Sequence, residues 1–173
     1  MECPICKKIM EEKDLLIYED ELVSAFLEQE GLTYGHITLI PKEHLPIFEN
    51  YDEKTVSHLF NISNKLSSIL FETLNIQGTN LIINNGVSAG QKYPHLTLHI
   101  IPRKDGDGLN LEWAPKQLSD DEMSTAEIKL KEFTKNIGIE KKVKTETAKE
   151  KEKEVINAEI KENYLIKHLR RIP

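Results

Sequence analysis

Two cysteines in 173 residues cannot supply a disulfide framework. They stand only two residues apart, as Cys3 and Cys6, so a bond between them would close a small loop, and nothing points to secretion. No apolar run approaches the ~20 residues that a bilayer-spanning helix needs. The opening Met1-Glu2-Cys3-Pro4 has no basic stretch leading into an apolar core, so no secretory leader is expected and the expected location is cytoplasmic. Net charge is −6 with lysines and arginines mixed among acids, which argues against a general nucleic-acid binder, since that would show a basic face. It does not exclude a small nucleotide held by local contacts. The single Trp falls in an irregular stretch, 105 to 117, whose Asp105 and Asp107 lack the ligand spacing of an EF-hand and read as a turn.

What remains is a polar chain, 39% hydrophobic and 30% charged, of a length that suits one domain with an extension. Residues 15 to 18, 22 to 27 and 36 to 41 read as strands, and 80 to 84 as a fourth. From 52 to 75, Val56, Leu59, Phe60, Ile62, Leu66, Ile69, Leu70 and Leu74 recur at spacings of three and four, an amphipathic helix. Ser119 to Glu122 carries a capping signature for a second helix ending near Asn136, closed by Gly138. The expected class is α+β, an antiparallel sheet meander with one long helix. The domain covers 1 to 136. A charged, partly helical extension covers 137 to 173, and its more apolar end from Tyr164 is suited to docking on the domain, a second subunit or a protein partner.

The most informative stretch runs from Gln91 to Arg103. His95, Thr97 and His99 alternate with Leu96, Leu98 and Ile100, a period of two that marks a strand with one apolar face. The other face then carries two imidazoles with a hydroxyl between them, a pattern that favours a site over surface decoration. At the other end, Cys3-Pro4-Ile5-Cys6 is either a redox pair or half of a tetrahedral zinc site. No thioredoxin-like context accompanies it, which favours zinc. The histidines available to complete it are His36, His44, His58, His95, His99 and His168.

The strand motif, its lead-in from Asn84 to Gln91 and its exit Ile101-Pro102-Arg103 resemble the signature of the histidine triad superfamily. Phe26-Leu27-Glu28, Gly35-His36 and Ile40-Pro41-Lys42-Glu43-His44 match it further, in order, over roughly residues 1 to 136. Where the family has its central histidine, this chain has Thr97. The resemblance implies a purine nucleotide, AMP or a similar phosphate, across the sheet: Phe26 against the base, Glu28 on the ribose, and Asn84, Gln91 and His99 on the phosphate, His99 as an imidazolium. It implies structural zinc on Cys3, Cys6, His44 and His95, tying the N-terminus and a helix start at His44 to the motif strand. It also implies a homodimer through the long helix and adjacent strand.

In the family the central imidazole attacks an α-phosphate and is later displaced, a task suited to a good neutral nucleophile and leaving group. A threonine hydroxyl needs an activating base, for which His99 stands nearest in sequence. The chain therefore reads as a nucleotide binder of hydrolase ancestry with weak or altered catalysis. The alternatives are a hydrolase of phosphoramidates or dinucleoside polyphosphates that activates water near His99, a hydrolase of a non-nucleotide substrate in the same pocket, or an active-site variant.

Overall fold

The computed structural model describes residues 3 to 135 and residue 137, which fall into a unit up to residue 109 and a second from residue 110. The first unit contains α1 (Pro4–Glu11), β1 (Leu16–Glu19), β2 (Val23–Leu27), β3 (Ile37–Pro41), α2 (Glu53–Leu74), β4 (Gly78–Ile83) and β5 (Leu98–Arg103). One antiparallel sheet has the order β1-β2-β3-β5-β4. The first three strands form a meander, and β5 then inserts between β3 and β4, so the His99 strand lies inside the sheet.

Both faces of that sheet are covered. Val23, Ala25, Ile37, Leu39, Leu98 and Ile100 pack with Leu59, Ile62, Leu66 and Leu70 of α2. Phe26 and Ile40 point the other way, onto Ile5 and Ile9 of α1. Period-two alternation therefore produces two apolar sets on β2 and β3 rather than one wet face. Burying each of the valine, leucine, isoleucine and phenylalanine side chains contributes about 1.5–3 kcal/mol.

The long helix follows its sequence signals. Asp52 caps it, accepting from the Thr55 amide at 2.7 Å, and Asn75 ends it in the left-handed conformation at φ 50°. The short α1 was not expected from the sequence. Only Ile5 and Ile9 mark its buried face, too few for periodicity to show, although Pro4 stands in its first turn.

The motif strand starts later than its alternation suggests. Pro94 offers no N–H, the His95 amide donates to the Tyr93 carbonyl, and the Leu96 amide donates to the Leu45 carbonyl. Pairing with β3 begins only at Leu98, opposite Leu39. His95 and Thr97 thus precede β5 in extended chain. His44 does not open a helix either. It lies in a turn held by the Tyr51 hydroxyl, which donates toward the Glu43 and Leu45 carbonyls, and α2 begins only after the Asp52 cap.

The second unit contains α3 (Asp120–Thr134), opened by the expected capping box of Ser119 and Glu122. Its residues are exposed throughout. The closing Gly138 and the extension from 139 to 173 lie outside the described residues.

Candidate functional site

The period-two motif brings two histidines to one side of the sheet but gives them separate neighbours. His95 belongs to a cluster with Cys3, Cys6 and His44, whose donor atoms all lie within 4.8 Å of one another. His95 Nδ1 is 3.8 Å from Cys3 Sγ, 3.5 Å from Cys6 Sγ and 3.3 Å from His44 Nδ1, and Cys6 Sγ is 3.2 Å from His44 Nδ1. Tetrahedral zinc bonds of about 2.3 Å to sulfur and about 2.0 Å to nitrogen imply edges of about 3.6 Å for N–S and about 3.3 Å for N–N. These four distances lie near such edges, and no two of the donor atoms are more than 4.8 Å apart. His95 is 1% exposed, and its Nε2–H donates to the Pro41 carbonyl at 2.8 Å, which leaves Nδ1 as the lone-pair donor facing the cluster. Burial, and then the neighbouring Cys3, push the Cys6 thiol up to about 11, a cost that a cation between the sulfurs removes. Both thiols are free of disulfide.

Four residues on, His99 enters a different network. His36 Nε2 is 3.1 Å and Thr38 Oγ1 3.2 Å from His99 Nδ1, while Thr97 Oγ1 is 3.4 Å from His99 Nε2. The register explains this grouping. Thr38 is directly opposite His99 across the β3–β5 ladder, and directly opposed residues share a face. His36 is reached through Gly35, which holds φ +88° and approaches Leu74 so closely that a Cβ there would lie 2.4 Å from its Cδ1. Burial, and then the His36 imidazole, hold His99 below the ordinary histidine value. Burial also lowers His36, with Glu28 acting in the opposite sense. Burial thus works against the expected His99 imidazolium, because protein replaces water around the ring.

Glu28 closes the same side of the sheet. Burial raises its carboxyl, but bonds from Lys8 and Thr38 outweigh this and keep it below the usual carboxylate range. Lys8 Nζ lies 2.8 Å from Glu28 Oε1 and 5.3 Å from the Phe26 ring centroid. Phe26 is fully buried beneath α1, so in this structure its ring carries Lys8 and presents no open surface to a base. Gln91 is also turned inward. Its Oε1 accepts from the Gly86 amide at 2.7 Å and its Nε2 donates to the Pro46 and Tyr93 carbonyls, so it clamps the glycine loop. Asn84 is half-buried directly after β4, and its neighbour Asn85 is engaged by Glu49.

Lys8, His36 and Thr38 were not singled out for this network by the sequence. His36 appeared among possible zinc donors and, as Gly35-His36, among the matches to the family, with no role beside His99. The alternation of His36, Thr38 and Ile40 signals a shared face, but only the strand register shows that the face is His99's. Lys8 depends on α1, which has no clear sequence signal. The acidic loop proves to be a turn fixed by Arg103, whose guanidinium binds both Asp107 oxygens. No helix among the described residues is long and apolar enough to cross a membrane.

This arrangement is that of a histidine triad protein, and the model of the HIT domain matches residues 10–106, so the chain belongs to that family. It is 35% identical over 118 residues to an adenylylsulfatase of Arabidopsis thaliana, covering 68% of this chain and 58% of that relative. It is 29% identical over 145 residues to an adenosine 5'-monophosphoramidase of Candida albicans, covering 80% and 95%. Among solved structures it resembles a zinc-bound histidine triad family protein from Mycobacterium smegmatis, at 30% identity and a TM-score of 0.59, covering 67% of this chain and 85% of that one. The chain thus spans less than two thirds of the adenylylsulfatase. The α+β fold is the one expected.

Proposed function

We propose that this chain binds a purine nucleotide such as AMP on the face of His99, and that Thr97 leaves it little of the nucleotidyl transfer expected of its family. The observation that carries the reading is a hydroxyl in the nucleophile's place. Thr97 Oγ1 lies 3.4 Å from His99 Nε2, one of the groups the family resemblance assigns to phosphate. Asn84 and His99 would donate to phosphate oxygens, with Gln91 acting by holding the loop. The Glu28 carboxylate, one oxygen of which is taken by Lys8, has another for a ribose hydroxyl. The similarity to an adenylylsulfatase of Arabidopsis and an adenosine 5'-monophosphoramidase of Candida supports an adenine nucleotide.

Cys3, Cys6, His44 and His95 would hold zinc. A closed set of two thiolates and two imidazoles has no open position and supplies a crosslink rather than a Lewis acid. It would tie α1, and with it Lys8, to the chain before β5. A homodimer through α2 and β4 is part of this reading, supported by exposed Phe60, Ile69 and Phe71 on α2 and Leu81 on β4.

The test is ³¹P NMR of the zinc-loaded protein with an adenosine phosphoramidate and a diadenosine polyphosphate, run beside Thr97→His, together with an AMP titration. AMP should bind both proteins, and Thr97→His should turn substrate over at least about 10²-fold faster, equivalent to about 2.7 kcal/mol of barrier. Equal turnover by both would show a route that does not need the imidazole, with water activated near His99. No AMP binding by either would sink the nucleotide reading.

A further inference from the structure

The bonds around His36 determine which nitrogen of His99 carries its proton. The Leu32 amide lies 3.2 Å from His36 Nδ1. A backbone N–H can only donate, so that nitrogen is a lone pair. A neutral imidazole has one proton, which must then sit on His36 Nε2. Nε2 faces His99 Nδ1 at 3.1 Å, so His99 Nδ1 accepts and the His99 proton sits on Nε2. Thr38 agrees with this assignment, because its hydroxyl can donate to the same Nδ1 or to Glu28 without placing a proton on His99. Nothing else at Nδ1 can remove the His36 proton.

The geometry points to His36 as a positioning residue that locks His99 in the Nε2–H form, so that His99 donates to an anionic oxygen held beside Thr97 and cannot act as a base on the Thr97 hydroxyl. The second half of this inference rests on the nucleotide reading, and the tautomer itself does not. Its consequence is specific. Thr97 Oγ1 faces an N–H, which it can accept from but to which it cannot pass a proton. The threonine therefore lacks its nearest base, and the face of His99 is a donor site that suits a deprotonated phosphoryl oxygen. Adding a proton to His99 Nδ1 would set two N–H groups against each other, so the lock also opposes the imidazolium. Gly35 and the Leu32 amide belong to the device, because they fix the ring from which the relay starts.

The test is two-bond ¹H–¹⁵N correlation of the histidine side chains in the full zinc-loaded chain at pH 7.5. His36 and His99 should both show the neutral Nε2–H pattern. A neutral Nδ1–H pattern, or an imidazolium, at His99 overturns the assignment in the native protein without any variant. His36→Gln keeps a donor amide and should preserve the His99 pattern. His36→Phe removes the donor, should shift His99 toward the Nδ1–H form by letting it donate to Thr38, and should weaken AMP binding about tenfold while His36→Gln binds within about threefold of the native chain. An unchanged His99 pattern in a folded His36→Phe protein would show that His36 is not the lock. If the tautomer is as stated and AMP fails to bind, the nucleotide reading falls and the lock stands. If AMP binds and His99 carries its proton on Nδ1, the lock falls alone.

Discussion

His95 and His99 stand four residues apart on one motif and end in opposite situations. His95 uses both ring nitrogens in a closed set, one on the Pro41 carbonyl and the other facing Cys3, Cys6 and His44. His99 stands in an open series that runs from the Leu32 amide through His36 and ends at a hydroxyl. A closed set of four donors calls for a cation and offers nothing further. An open series ends on groups that keep capacity for a further partner. The same residue type at the same strand phase is therefore suited to a clamp at one position and to a ligand contact at the other, and the surrounding atoms decide which.

The largest effect should come from opening the closed set. Cys6→Ser removes the sulfur that lies 3.2 Å from His44 and 3.5 Å from His95. Loss of a structural metal belongs with the few single changes that cost about 4 kcal/mol or more. Thermal melts with metal analysis should show a stoichiometric zinc lost and a Tm lower by many degrees, and EDTA should lower the native chain's Tm in the same way. A Cys6→Ser protein that melts like the native one, with or without EDTA, would mean that the four donors are packed together without a metal's help. The Thr97→His gain in turnover ranks next, and it acts at the open end alone.

How much of this was readable beforehand follows the range of the interactions. Helix α2 and its two caps are local, and Asp52, Asn75 and the 3.6 period show them directly. The four clustered candidate donors were named through a family pattern that spans the chain from Cys3 to His95, not through spacing, since six histidines were available. The His36–His99 contact joins residues 63 positions apart and depends on the β3–β5 register, which no local signal specifies. Gln91 and Phe26 show the limit of position-by-position transfer. Both match the family by place, yet Gln91 is spent on loop carbonyls and Phe26 lies sealed under α1, a helix with too few apolar residues to be seen in the sequence.

Gly35→Ala should disturb the open series at its origin. The residue holds φ +88°, and the new methyl would meet Leu74 Cδ1 at 2.4 Å, so both backbone strain and a clash apply. The expected cost is about 1–3 kcal/mol in chemical denaturation, with the zinc content unchanged and the His36 and His99 ring resonances shifted. Unshifted histidine resonances would show that His36 keeps its place without the glycine turn, and the two ends of the motif would then differ less in rigidity than their geometry indicates.

The smallest effect concerns protons. Burial holds His36 and His99 below the ordinary histidine value, with Lys8 and Lys92 acting in the same direction on His99 and Glu28 against it. The unfolded chain, with histidines near pH 6.5, takes up protons at a higher pH than these buried rings do. Stability from this source is therefore fully present above about pH 6.5 and is lost as pH falls below it toward the folded-state values. Each ring contributes a slope of at most about 1.4 kcal/mol per pH unit over that window. Acid also releases metal from thiolates and imidazoles, which lowers stability in the same direction. The difference between the native chain and His36→Gln separates the two, because the variant keeps the metal donors and removes one titrating ring. Urea denaturation between pH 7.5 and 5.5 should give the variant the shallower decline. Parallel curves would show that His36 is protonated as readily in the folded chain as in the unfolded one, so that burial does not hold its ring below the ordinary histidine value.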